Sequence, residues 1–438
     1  MNFLMQYIDA ILYGLGLLAI LTLYVPFSPM LIDMVMLPRN AQIAIYRYRY
    51  WFWLLVWVAT FALLARSLAA VSEPTGFLAP VVGLGQSLFN AWAPDLVGVG
   101  DAGWLQPLTI TFLVMAMMFW SGYVPYVMTP PKNPQILSVA EADRLLGADD
   151  MVLGLENAGE ARAYPRDWIA RPHFFVDQVG GKSLTISYCI LCNSGIAFNN
   201  VLNGKPLDLK CVTAYNNNII YLDPASGNYI QQLDGSVCHG PDLGTVLEAH
   251  PVIQARWADW KQLHPETKLY LAPAQSLRDK MVALMLGMMI PIHKLSKRNS
   301  PWHRVRGKVD GRLPAMSYVY AVELGKECAT YVESDLKSTP VVNDQVGGQE
   351  IAVFYDAQHD IGNIFSRELD GRTLTFSAVA GPDNAIAKDN ETGTLWDVSG
   401  RALSGALSGS HLEAIPHFNK LFWFSWPLFK SSVMVRTG

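Results

Sequence analysis

Charge is scarce in this 438-residue chain, where Asp, Glu, Lys and Arg make up only 16%. Neither sign dominates: 33 Lys and Arg stand against 37 Asp and Glu, for a net charge of -4. No basic field exists to hold a phosphate backbone, so nucleic acid is excluded as a partner class. Cysteine is scarcer still. Five occur, at 189, 192, 211, 238 and 328, and an odd, sparse set is a poor disulfide framework for a protein this large. Thiols or metal ligands fit better. Lys and Arg are also missing before Arg39, whereas a secretory signal peptide would open on a basic stretch and end at a small-residue cleavage site, so removal of the first segment is not expected. Gly180-Gly181 lacks the Lys-Ser/Thr of a phosphate loop, and Ser194 has no Gly-x-Ser-x-Gly elbow around it.

What the chain has in excess is apolar surface: 51% of residues are hydrophobic, 13 of them Trp. The run from Phe3 to Pro26 reaches the roughly 20 residues that span a bilayer. Two more spans are expected at 49–66 and 105–127, with Tyr50, Trp51, Trp53, Trp104 and Trp120 as interfacial belts. Pro130, Pro131 and Pro134 stop the third. Residues 76–97, with Pro80 and Pro94, read as an interfacial or re-entrant segment. The expectation for 1–130 is therefore an α-helical transmembrane region in a cell (inner) membrane, with the lipid bilayer as partner. Arg39, Arg47 and Arg49 between spans one and two, against Arg66 alone in the next loop, put everything after Lys132 on the cytoplasmic side.

The remainder is written twice. Asp177-Gln178-Val179-Gly180-Gly181 recurs as Asp344-Gln345-Val346-Gly347-Gly348, and the same offset pairs Tyr164 with Tyr331, Tyr188 with Tyr355 and Gly195 with Gly362. With two one-residue deletions the register continues to Leu247-Glu248-Ala249 and Leu412-Glu413-Ala414. Strand-like runs at Lys182–Tyr188, Gly195–Val201, Leu207–Thr213 and Asn218–Leu222 sit between Gly-Gly, Asn-Gly and Pro-Ala-Ser-Gly turns. The fold class expected is two tandem, homologous, mainly β (α+β) domains at 131–274 and 313–438. A linker at 275–312 holds the apolar run Met281–Ile292, which lies either in the headgroup region, with Phe422-Trp423-Phe424-Ser425-Trp426 beside it, or buried between the repeats.

One local signal carries chemistry, Cys189-Ile190-Leu191-Cys192 at the end of a strand. This spacing serves either a dithiol couple, one sulfur attacking and the other resolving, or a shared soft metal. No second Cys-x-x-Cys exists, so a metal site would draw on His173, Cys238 and His239 to complete Cys189 and Cys192, with zinc, copper or iron as the ion. Cys211 and Cys328 read as packing. At the matched positions of the second copy stand Asp356 for Cys189, His359 for Cys192, Pro340 for His173, Leu403 for Cys238 and Ser404 for His239. All five candidates vanish together while scaffold glycines and aromatics persist. A site in the first copy, and a structural partner in the second, is the expectation.

The ordered string Glu160-Ala161-Arg162-Ala163-Tyr164-Pro165, His173, Asp177, Gly180-Gly181, Tyr188-Cys189-Ile190-Leu191-Cys192, Tyr215-Asn216-Asn217-Asn218, Asp223, Trp257-Ala258-Asp259-Trp260 and His264-Pro265-Glu266-Thr267 resembles the bacterial and archaeal domain of unknown function 3179. The resemblance covers about 150–272, with the second copy a worn version. It implies hallmark positions at His173, Cys189 and Cys192 but no settled activity. Ile190 replaces the family's Pro, and Tyr229-Ile230 its Leu-Trp, which the second copy keeps as Leu395-Trp396. Many relatives look exported, which implies the periplasmic face instead. The functional expectation is a membrane-anchored metal-binding or thiol-redox protein; the alternative is a non-catalytic ligand- or partner-binding protein with structural cysteines.

Overall fold

The computed structural model describes residues 37–48, 50, 51, 54, 58, 128–130, 133–272, 297–302, 304–381 and 384–436. Two compact units divide at Tyr126/Val127. In the first, α1 (Arg39–Arg47) follows Pro38 and buries Gln42, Ile43 and Tyr46. The expected membrane region is corrected here: among the described residues no helix is long and apolar enough to cross a membrane. Nine residues of α1 rise about 14 Å, half a hydrocarbon core, and both ends carry arginine. The spans placed at 3–26, 49–66 and 105–127 lie outside the described residues, save Tyr50, Trp51, Leu54 and Val58, as do the segments 76–97 and 281–292. The multi-pass inner-membrane placement, and both faces deduced from it, lose their support.

The second unit is mainly β. After β1 (Gln135–Leu137), a capping box between Ser138 and Glu141 starts α2 (Val139–Ala142). A hairpin of β2 (Met151–Asn157) and β3 (Glu160–Pro165) leads through α3 (Arg166–Ile169) into a meander of β4 (Phe174–Val179), β5 (Lys182–Cys189) and β6 (Ser194–Asn199). A miniature hairpin, β7 (Val201–Leu202) and β8 (Lys205–Pro206), precedes a second meander of β9 (Lys210–Tyr215), β10 (Asn218–Asp223), β11 (Asn228–Gln231) and β12 (Val237–His239). Then β13 (Ala249–His250) joins β6, β14 (Ile253–Arg256) joins β2, and α4 (Trp257–Leu263) leads to β15 (Lys268–Leu271), which lies parallel to β3.

The same order of elements runs again. Hairpin β16 (Tyr318–Leu324) and β17 (Glu327–Val332), α5 (Glu333–Leu336), and meander β18 (Val341–Val346), β19 (Gln349–Asp356) and β20 (Ile361–Ser366) come first. Miniature hairpin β21 (Glu368–Leu369) and β22 (Arg372–Thr373) follows, then a four-stranded sheet of β23 (Phe376–Ala378), β24 (Ala387–Asp389), β25 (Leu395–Trp396) and β26 (Ala402–Ser404). Strand β27 (His417–Phe422) returns to β16, and after a 3-10 turn and α6 (Trp426–Phe429) strand β28 (Val433–Arg436) lies parallel to β17. The Phe422–Trp426 segment packs inward: Trp423 and Phe424 are 0% exposed and Trp426 1%.

Matching turns are restrained in the same way. Gly180 and Gly347 both hold positive φ, at 56° and 57°, and a Cβ on either would collide with a backbone carbonyl, of Asn157 or Leu324. Gly180→Ala is expected to cost about 1–3 kcal/mol, read as a lower Tm. An unchanged Tm would show that the hairpin end can shift.

One hydrophobic core joins both stretches, with Val152, Ala163, Trp257 and Trp260 in the same cluster as Phe354, Phe365, Phe376 and Trp396. Hydrogen bonds cross between them as well. Gln254 Nε2 donates to the Asn419 carbonyl at 2.8 Å, and Asn193 Nδ2 to that of Lys420 at 2.6 Å.

Candidate functional site

Cys189 ends β5 and pairs with Ser194 at the start of β6, leaving Ile190–Asn193 as a four-residue loop. Asn193 closes it in the left-handed region, φ 54°, a conformation that Asn tolerates better than most residues. Its side chain is held at both ends: Oδ1 accepts from the Tyr188 hydroxyl at 2.8 Å, and Nδ2 donates to the Lys420 carbonyl at 2.6 Å. The Phe422 amide donates to the Cys192 carbonyl at 3.0 Å. Strand β27 thus clamps the loop from the far end of the chain. Closure of this loop brings the side chains of Cys189 and Cys192 together, and the β19–β20 connection does the same for the matched pair, placing His359 Nδ1 2.6 Å from Asp356 Oδ2.

Both cysteines are 0% exposed, and none of the five forms a disulfide. Cys192 Sγ lies 3.1 Å from Ser194 Oγ and receives the Asn218 Nδ2 donor at 3.2 Å. The orientation of that amide is fixed from behind, because Asn218 Oδ1 accepts from Gln231 Nε2 at 2.6 Å and from the Leu233 amide at 3.0 Å. Gln232 completes the network: its Oε1 accepts from Ser194 Oγ at 2.7 Å and from Asn218, while its Nε2 donates to the Ser194 carbonyl at 3.2 Å.

The two thiols are driven apart in acidity. Burial would raise the Cys192 thiol, but hydrogen bonds from Cys189, Ser194 and Asn218 outweigh it and hold the group below the ordinary thiol value. Burial pushes Cys189 well above that value, reinforced by its hydrogen bond to Cys192; its Sγ also faces the Asn217 carbonyl at 3.4 Å. Of the two, Cys192 is the sulfur that gives up its proton more readily.

The metal-binding expectation is corrected: among the described residues no group of three or more His, Cys, Asp or Glu could hold a metal ion. His173, left-handed at φ 65°, spends its ring on the chain, with Nδ1 donating to the Tyr188 carbonyl at 3.0 Å. Burial holds its pKa down at about 4, so the ring is neutral and ties β4 to β5. Cys238 is buried in β12. His239, the next residue along the strand, meets the Tyr229 ring edge-on at 5.6 Å. Cys211 packs in the interior with its Sγ 3.4 Å from Met128 Sδ, and Cys328 is buried in β17.

Sequence reasoning missed Ser194, Asn218, Gln231 and Gln232. The comparison of matched positions held a signal for two of them, since Ile361 and Val398 stand where Ser194 and Gln232 do. These two members of the polar shell are apolar in the stretch that lacks the cysteines.

No curated protein and no solved structure matches this chain. A family model does, over residues 123–432, so both stretches fall within a single match, and the chain belongs to the family described as Protein of unknown function (DUF3179).

Proposed function

We propose that this protein is a thiol-redox protein whose working centre is the Cys189–Cys192 pair, with Cys192 as the attacking thiol and Cys189 as the resolving one. The observation that carries the reading is the Asn218 Nδ2 donor on Cys192 Sγ at 3.2 Å, aimed there by Gln231 and the Leu233 amide behind it. Hydrogen bonds of this kind favour a thiolate where burial alone would suppress it. The chemistry is two thiols giving a disulfide, two protons and two electrons.

The reading also takes the chain as a tandem repeat whose second member has lost the centre. Support comes from paired restraints at matched positions. The Tyr164 hydroxyl donates to Asp177 at 2.9 Å as that of Tyr331 does to Asp344 at 2.8 Å, and the Gly180 and Gly347 amides donate to the carboxylates of Glu160 and Glu327. Against this shared scaffold, the cysteines differ together with two of the polar residues around them, Ser194 and Gln232.

The test is an equilibrium titration of the full chain in dithiothreitol redox buffers, with thiols alkylated after acid denaturation. Two of the five thiols are expected to disappear together at one potential, with mapping to a 189–192 disulfide. Cys189→Ser and Cys192→Ser should each abolish the transition. Five thiols at every potential would sink the redox reading and leave the non-catalytic binding protein with structural cysteines.

A further inference from the structure

Both sulfurs of the pair are 0% exposed, and thiol–disulfide exchange needs a sulfur that a partner can reach in line. The centre therefore reacts only through a local opening, and the element that opens sets the rate. On one side the cover is the turn at Asn216 and Asn217, pinned by the Arg306 amide 2.8 Å from Asn216 Oδ1. On the other side it is β27.

Strand β27 meets the cysteine loop at a fault in its own pairing. Val319 pairs with Leu421 and Ala321 with Phe418, so Tyr320 of β16 faces both Asn419 and Lys420. A bulge of this kind turns backbone groups out of the ladder. Lys420 holds φ 58°, which a lysine keeps only where its surroundings impose it. The freed groups go to the cysteine loop. The Lys420 carbonyl takes the Asn193 side-chain amide, and Gln254 Nε2 bridges the Asn419 carbonyl at 2.8 Å and the Asn193 carbonyl at 3.1 Å.

The Lys420 side chain runs the other way, to the β19–β20 loop. Its ammonium is 8% exposed and pairs with Asp360, which also accepts from the Tyr355 hydroxyl. Asp360 stands at the position matched to Asn193. The two share a left-handed backbone, φ 56° and 54°, and each accepts from the matched tyrosine, Tyr355 or Tyr188. One residue is thus gripped by both loops, through its carbonyl at the cysteine loop and its ammonium at the twin.

Resting on the dithiol reading above for the chemistry it serves, we propose that the Lys420 bulge is a latch on the cysteine loop, held shut by Asp360. Loss of the ion pair lets the bulge leave its left-handed backbone, releases Asn193 and uncovers Cys192. The second stretch, without cysteines at the matched positions, then governs access to those of the first.

The experiment follows alkylation of the reduced full chain by N-ethylmaleimide without denaturant, with each adduct located by mass spectrometry. Cys211, Cys238 and Cys328 are buried as well and serve as internal references for global opening. Cys192 should be alkylated ahead of them. Asp360→Asn suits the left-handed backbone and keeps an acceptor for Tyr355 but removes the charge. It should speed alkylation of Cys192 about tenfold and leave the three references unchanged. Lys420→Met should act alike, and the double variant should exceed neither. One common rate for all five cysteines, a rise shared by all five, or a Cys192 rate that neither substitution alters would overturn the latch. A 189–192 disulfide in the redox titration would still uphold the dithiol reading. Faster alkylation of Cys192 alone in the variants, with no disulfide in any redox buffer, would keep the latch and sink that reading.

Discussion

Replacing Trp260 by alanine is expected to remove about 3–5 kcal/mol of folding stability, a large share of the 5–15 kcal/mol that typically separates folded from unfolded domains. The indole is 0% exposed. Its ring lies where a Cβ on Gly154 would fall, its Nε1 donates to Thr267 Oγ1 at 2.9 Å, and the His264 ring lies tilted against it with centroids 4.1 Å apart. Neither a neighbouring backbone nor a small side chain can collapse into the gap, and Thr267 is left with a buried unmet acceptor. Because Trp260 shares its cluster with Phe354, Phe365 and Trp396, the loss should not stay local. Hydrogen exchange in β19 and β25 should rise together with that in β2 and β3, in a single thermal transition. Two separate transitions, with only the 151–165 region weakened, would refute the shared core.

The second large effect is acid lability between pH 6.5 and 4. His173, His264 and His417 are each pushed down to about 4, burial being the largest cause in every case. A folded pKa below the unfolded value means that the unfolded chain takes up protons the folded chain refuses. Stability is therefore full above pH 6.5 and falls as pH drops toward 4, by about 3 kcal/mol for each histidine. Carboxyls act in a different window. Asp389, held below its ordinary value despite burial by hydrogen bonds from Trp396 and Thr392, contributes its full stability above about pH 4 and loses it only as pH falls further. Urea unfolding at a series of pH values should show the steep loss above that point. In His173→Asn, which keeps a donor for the Tyr188 carbonyl and suits the left-handed backbone, the slope should ease by about one proton. An unaltered slope would mean that His173 is already protonated in the folded protein.

Much of the β framework was legible because its signals are local. The run Lys182–Tyr188 lies within β5 (Lys182–Cys189), and Asn218–Leu222 lies within β10 (Asn218–Asp223), each bounded by turn residues that leave the chain little choice. The meeting of Cys189 with Cys192 was legible for the same reason, since one loop fixes it. The polar shell was not. Ser194 and Gln232 touch across 38 residues, and a polar residue in a strand reads as solvent-facing until the packing around it is known. Spacing alone could not show that the His173 ring is taken by a backbone carbonyl. Nor could it show that the His239 ring meets Tyr229. The membrane reading rested on apolar run length, and the described residues give it no spanning helix.

The clamp of β27 on the cysteine loop has a consequence for biosynthesis. Asn193 and the Lys420 carbonyl that receives its amide are 227 residues apart in the chain. A ribosome adding roughly 5–20 residues per second therefore leaves a newly made dithiol uncovered for on the order of tens of seconds. During that interval, as in any product clipped ahead of Phe422, the sulfurs meet thiols and oxidants of every size.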